Sequence, residues 1–351
     1  MHEITHAIRA AYQTTNRAAP RRQHLGASAI GGECPRAVWY GWRWALAIDW
    51  SGRMLRLFNR GSREEPWIID DLRRIGAEVI DVDPSTGKQW RNADASLGEH
   101  FSGSMDGAAR NLPGVDGWAL LEFKTSSTKA FKRMVKAGVE KTKPTHYAQM
   151  QVYMGWEGLP RAVYVMICKE TDDHHVEVVE FDARVFELMT KRARMILEST
   201  VPPAKIAESI ESFACRWCDA KHICHENIVA DVNCRTCVHS TAVLDEPGAK
   251  WRCEHTGEYL DSKAQQRGCE DHLFIPQLVP HSEPIDSGDG WVKYRVHNTE
   301  TVFLNVASVS FPALDEDHVY LSSLALKAVQ PMDFDGVPSL RELRGIAKEE
   351  R

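Results

Sequence analysis

No stretch of this 351-residue chain approaches the roughly 18 consecutive apolar residues that a membrane-spanning helix needs, so a helical membrane protein is excluded. The first residues, Met1-His2-Glu3, lack the basic segment followed by an apolar one that marks a secretory leader. A cytoplasmic protein is the expectation. There is no internal repeat and no low-complexity tract. Nor is there an excess of positive charge: 43 Lys and Arg stand against 49 Asp and Glu, for a net charge of −6. That excludes a uniformly cationic coat, but nucleic-acid binding depends on local charge, not the total. Disorder is excluded too, since 43% of the residues are hydrophobic and 26% charged, in a length suited to about two domains.

What is present is cysteine, unevenly placed. Of nine, Cys34 and Cys168 stand alone and the other seven fall between residues 215 and 269. In a cytosolic chain such residues are metal ligands or free thiols more often than disulfides. Cys168, in the apolar run 164–168, reads as a small buried hydrophobe. Cys215, Cys218 and Cys224 form a C-x2-C-x5-C set that needs a fourth ligand. Cys34 is the candidate, with His222 and His225 as rivals. Cys234, Cys237, Cys253 and Cys269 form C-x2-C-x15-C-x15-C, four thiolates that suit tetrahedral Zn²⁺, with His239, His255 and His272 as substitutes.

The apolar spacing predicts a short amphipathic helix over 2–13 and a polar, basic loop over 14–24. Residues 36–58 are rich in aromatics, with Trp39, Tyr40 and Trp42 read as core in preference to base-stacking groups. Then follow a helix over 62–75, a strand over 77–83, and strands over 100–110 and 117–126 around a turn at Leu112–Gly117. A helix starts at Pro144, strands lie at 161–169 and 175–182, and a helix capped by Asp182 covers 183–199. The order is α-β-β-β-α-β. A hairpin over 291–306 turns near Asn298, and 339–351 reads as a charged helix.

One pattern in this stretch has no packing explanation. In Leu120-Leu121-Glu122-Phe123-Lys124 the side chains alternate, so Glu122 and Lys124 share one face of a hydrophobic strand. The turn brings Asp106, in Gly103-Ser104-Met105-Asp106-Gly107, beside them. A cross-strand salt bridge is the plain reading of these residues. The chemical one is a site for Mg²⁺ or Mn²⁺, which take oxygen ligands, completed by the backbone carbonyl of Phe123. Lys124 would then position or deprotonate water and stabilise charge on a phosphate.

Asp106 followed by Glu122-Phe123-Lys124 resembles the PD-(D/E)xK nuclease motif. Gln149-Met150-Gln151-Val152-Tyr153 resembles the Q-x3-Y motif of RecB-type nucleases, an i,i+4 pair on a helix. Gly61-Ser62-Arg63-Glu64-Glu65-Pro66 is similar to the G-x3-E-P opening of YqaJ-like phage recombination exonucleases of the lambda-exonuclease type. RecB-type enzymes usually carry histidine where Glu65 stands. The 103–107 segment resembles the viral G-S-P-D-G, with Met105 replacing proline. A lone cysteine before the core and C-x2-C-x5-C after it resemble the iron–sulfur RecB-like exonucleases, including the CRISPR-associated family. Ser28-Ala29-Ile30 ahead of Cys34-Pro35-Arg36 matches that family's opening. Residues 24–228 carry the resemblance.

The resemblance implies an α/β restriction-endonuclease-like core, a mixed central sheet flanked by helices. To it the chain's own composition adds a cysteine-rich metal-binding extension and a small C-terminal α+β region, so four parts are expected: an N-terminal helical region (1–60), the nuclease core (61–228), a zinc element (229–280) and a C-terminal region of unassigned role (281–351). The resemblance also implies a metal-dependent DNA exonuclease of recombination or repair, phage-encoded, in a bacterial or infected cell. Asp106, Glu122 and Glu65 would serve the metal, Lys124 the water, and Gln149 and Tyr153 the lysine or a phosphate. Cys34, Cys215, Cys218 and Cys224 would hold a [4Fe–4S] cluster. The basic run with Lys129, Lys132, Arg133 and Lys136 becomes a candidate DNA-contacting segment. Implied partners are linear or single-stranded DNA ends, a recombination or single-strand-annealing protein, and further copies of the chain in an oligomer. The competing readings are a non-catalytic DNA-binding accessory protein and a redox-responsive regulator built on the cluster.

Overall fold

The computed structural model describes residues 2–307 and 319–328. They fall into two compact units, one drawn from Met1–Gly32 and Asp49–Arg194, the other from Glu33–Ile48 and Met195–Arg351. This division differs from the boundaries expected at residues 60 and 228.

The first unit is built on a five-stranded mixed sheet in the spatial order Glu78–Ile80, Gly107–Arg110, Ala119–Ser126, Arg161–Cys168, His174–Glu180. The pair Ala119–Ser126 and Arg161–Cys168 is parallel and the other three pairings are antiparallel. A parallel pair needs a long crossover. Two helices supply it here, Thr128–Thr142 and Pro144–Glu157, the second opening on the proline expected there. Helix Gly52–Arg74 closes one face. Its Ile68 and Ile69 pack with Ala109, Leu121, Phe123, Val163, Val165 and Ile167. These are the strand residues whose alternation points them away from Glu122 and Lys124.

That helix starts ten residues before the expected 62, capped by the Ser51 side chain, and runs through Pro66. The Gly61–Pro66 segment therefore lies in mid-helix. The N-terminal helix extends to Ala18, past the expected end at 13, so 14–18 is helical. Gln13 and Asn16 are half-buried, and the Tyr12 hydroxyl reaches Asn59 of helix Gly52–Arg74 at 3.4 Å. Strand Phe101–Ser104 belongs to a separate three-stranded sheet with Leu25–Gly26 and Arg91–Ala93. The expected single strand over 100–110 thus splits, and Asp106 lies at the split. Among the described residues, no helix is long and apolar enough to cross a membrane.

In the second unit, helix Pro35–Trp42 buries Trp39, Tyr40 and Trp42, the expected core. Hydrogen bonds explain why 33–48 groups with later sequence. Trp39 Nε1 donates to Ser199 O (3.0 Å), Asp231 N to Ala45 O (2.8 Å) and Asn233 Nδ2 to Trp44 O (3.1 Å). A small sheet of Ser240–Ala242, Trp251–Cys253 and Tyr259–Leu260 follows, then a four-stranded one of Ser282–Gly288, Trp291–Val296, Val302–Val306 and Val319–Leu321. Its middle strands form the expected hairpin, with Asn298 in the left-handed region at φ 60°. The helix expected over 339–351 lies outside the described residues.

Candidate functional site

The site is made where one strand outruns its neighbour. Gly107–Ala109 pairs with Ala119–Leu121, and the pairing stops there. The next amide on that edge, Phe123 N, would lack a partner, and Asp106 Oδ2 accepts its hydrogen bond at 2.8 Å. The chain reaches this position because Gly107 adopts φ 155°, with Ile80 O only 2.9 Å from where a Cβ would sit. Gly103 has its own reason. A Cβ there would collide with the Tyr153 hydroxyl, which donates to Ser104 O at 2.9 Å.

Glu122 is fully buried, 0% exposed. Lys124 Nζ donates to its Oε1 and, at 3.0 Å, to Phe123 O. Gln149 Nε2 donates to Glu122 Oε2 at 3.1 Å. Both oxygens of a buried carboxylate are thereby engaged, as burial demands. Glu65, half-buried on the long helix, faces the same place and accepts from Gln89 Nε2 at 3.4 Å. All six residues expected around the carboxylate–lysine pair are brought together, and Phe123 O faces the lysine.

The electrostatics follow from burial. Burial raises Glu122 to about 7, the attraction of Lys124 opposing and the repulsion of Asp106 adding to it. Asp106 and Glu65 are raised by burial as well, with Asp106 pushing on Glu65. Burial alone would lower Lys124, but Glu122, Asp106 and Glu65 outweigh it and hold the lysine as an ammonium. Three carboxylates around one ammonium leave uncompensated negative charge in a buried pocket. A divalent cation would relieve it, and two carboxylates with one carbonyl are the oxygen donors that Mg²⁺ and Mn²⁺ prefer.

Two further residues were not anticipated. Tyr164 is the register partner of Glu122 on the adjacent strand, and its hydroxyl lies 2.9 Å from His146 Nδ1. Burial and then the charge of Lys124 lower His146 to about 3, so the ring is neutral at working pH. Its position three residues before Gln149 on one helix was the available signal. The basic run folds as helix Thr128–Thr142, burying Phe131 and Met134 and exposing Lys129, Lys132, Arg133 and Lys136.

In the second unit, Cys34, Cys215, Cys218 and Cys224 line one cavity with Arg36, Lys205, Lys221 and His225. Burial raises Cys218 and Cys224, and Cys34 and Cys215 act on both. Of the rival ligands, His222 is paired with Glu226 at 2.5 Å. Cys168 belongs to the first unit and is buried in its sheet. Among the described residues, no group of three or more His, Cys, Asp or Glu side chains is drawn closely enough together to hold a metal ion as it stands.

No protein-family model and no curated protein matches the sequence. Among solved structures, the chain is similar to an alkaline exonuclease from Laribacter hongkongensis, with 17% identity over 54% of this chain and 90% of that one and a TM-score of 0.35. The same exonuclease in complex with dAMP matches at 17% identity, 55% and 90% coverage and a TM-score of 0.36. The structure of SSO0001 matches at 16% identity, 64% and 97% coverage and a TM-score of 0.39. Identity and TM-score are low in all three, and the functional reading rests on the site itself.

Proposed function

We propose that the protein is a Mg²⁺- or Mn²⁺-dependent DNA exonuclease that hydrolyses phosphodiester bonds in recombination or repair. The observation that carries this reading is the fully buried Glu122, held between Lys124 and Gln149 with Asp106 one strand away. A hydrophobic sheet gains nothing in packing from two carboxylates and an ammonium on one face. When bound, the ion supplies Lewis-acid neutralisation of charge on the phosphodiester and acidification of water. Asp106, Glu122 and the Phe123 carbonyl would hold it, with Glu65 assisting. Lys124, kept protonated by its neighbours, donates hydrogen bonds to water or a phosphate oxygen and offsets developing negative charge. Gln149 fixes the Glu122 carboxylate, and Tyr153 fixes the 103–106 backbone through Ser104. The exposed cations of helix Thr128–Thr142 fit phosphate contacts made without regard to sequence.

The first cysteine set would be the one to hold a [4Fe–4S] cluster. Four thiolates on a cluster carry net negative charge, and Arg36 and Lys205 already act on Cys224 in that cavity.

The test is digestion of linear, end-labelled DNA with Mg²⁺ or Mn²⁺, using anaerobically purified protein beside Glu122→Ala. Label lost with the wild type alone supports the reading. No cleavage by either, with bound iron intact, would sink it and leave a DNA-binding accessory protein.

A further inference from the structure

The second cysteine set belongs to the second unit, and its members converge on one place. Cys234, Cys237, Cys253 and Cys269 all line one cavity of about 110 Å³. They come from three pieces of tight backbone. Cys234 and Cys237 bracket a single helical turn, in which Cys237 N donates to Cys234 O at 3.1 Å. Cys253 ends a three-residue strand and starts a turn closed by Gly257 N, 2.8 Å from Cys253 O. Cys269 follows Gly268, which ends helix Ser262–Arg267. Little regular structure holds these pieces: the local sheet has strands of three, three and two residues.

Burial holds these thiols protonated until something displaces the proton. Burial raises the Cys237 thiol to about 12, and the N–H groups of His239 and Leu273 are aimed at its sulfur against that effect. Burial, with Cys269 and Cys253 adding to it, raises Cys234 to about 11, and the amide of Gly268 is aimed at its sulfur. The Asp271 amide serves Cys269 in the same way. The thiols thus act on one another, and three of the four receive a backbone donor. Such donors spread the charge of a thiolate ligand. Three histidines line the same cavity. His272 Nε2 lies 3.1 Å from both Thr236 Oγ1 and Asn233 O, and the His239 and His255 rings face each other at 5.2 Å.

We propose that Cys234, Cys237, Cys253 and Cys269 bind one structural zinc ion that staples residues 234–269. Four thiolates suit tetrahedral Zn²⁺ and not the oxygen-seeking ions of the carboxylate pocket. Binding draws together sulfurs that line one cavity, and each thiol releases its proton. The staple has a structural reporter. Arg235, between Cys234 and Cys237, is fully buried and stacks 3.8 Å from the Trp44 ring centroid and 4.7 Å from that of Trp251. Releasing the ion frees the turn that holds this arginine, so tryptophan emission shifts.

Metal analysis of the full-length protein tests this, with Cys253→Ser, Cys269→Ser and, as a control in the other set, Cys218→Ser. The expected result is about one zinc per chain in the wild type and in Cys218→Ser, and loss of it in the other two. Zinc content unchanged by Cys253→Ser and Cys269→Ser, or iron there in place of zinc, overturns the proposal. If those variants fail to fold, cobalt exchanged into the wild-type protein decides. Thiolate-to-cobalt charge-transfer bands with tetrahedral d–d bands are expected, and their absence overturns it. Neither readout depends on DNA cleavage, so the zinc staple and the nuclease reading fail separately.

Discussion

Glu122 and Lys124 sit on an eight-residue strand in the middle of a five-stranded sheet, whereas Cys253 ends a three-residue strand in a sheet with little else to hold it. Both places gather metal-seeking groups. In the first, the sheet register and an apolar layer from helix Gly52–Arg74 position the ligands without help from any ion. In the second, the cysteines come from turns and short strands, and on the zinc proposal the ion would supply much of the order. The difference teaches where the cost of losing a metal would fall: in chemistry at the carboxylates and, on that proposal, in folding at the cysteines.

The largest expected effect lies at the carboxylates. Glu122→Ala or Lys124→Ala lowers cleavage by at least about 10²-fold, since each removes a group aimed at the reacting charge. Initial rates on labelled DNA check this, and rates equal to the wild type would refute it. Next comes the comparison itself. A chelator selective for hard cations abolishes cleavage reversibly while the melting curve is unchanged. Extraction of the thiolate-bound metal lowers the melting temperature, by an amount corresponding to several kcal/mol of binding energy or more. Equal melting shifts in both treatments would erase the contrast.

A third effect is set by pH. Glu122 holds its proton more tightly folded than unfolded, rising from 4.5 to about 7. The metal-free protein therefore loses stability from this group as pH climbs from 4.5 to about 7, and no more above it. Metal must displace the same proton, so apparent affinity for Mn²⁺ rises through that window and Glu122→Gln flattens both trends. Titration calorimetry at several pH values measures it. Smaller again is the helix contribution. Lys132→Ala and Arg133→Ala each reduce the slope of log affinity against log salt by about one, uniformly across DNA sequences. The smallest is Tyr153→Phe, which removes the bond to Ser104 O at a cost of about 1 kcal/mol in a denaturant melt.

The carboxylate site was legible because its key pair lies two apart on one strand, where alternation fixes the face. The hairpin at Asn298 was legible for a similar local reason, whereas helix Thr128–Thr142 went unread as an element. The start of the long helix at Gly52 was not, because Pro66 and Gly61 read as breakers, while burial of Ile68 and Ile69 keeps the helix intact. His146 was missed because its partner Tyr164 lies on strand Arg161–Cys168 while His146 lies on helix Pro144–Glu157, and only its spacing from Gln149 was visible along the chain.

What the sequence determined by itself is the inventory: which residues carry charge or sulfur, and which of them share a strand or a turn. Tertiary structure decided the rest. It ended one strand at Gly107 so that Asp106 must satisfy the amide of Phe123. It also grouped residues 33–48 with the sequence after 195, placing Cys34 beside cysteines about 180 positions away. Local spacing is covalent and can be read along the chain. Pairing across the chain is chosen by which apolar surfaces leave water together, and that choice belongs to the whole fold.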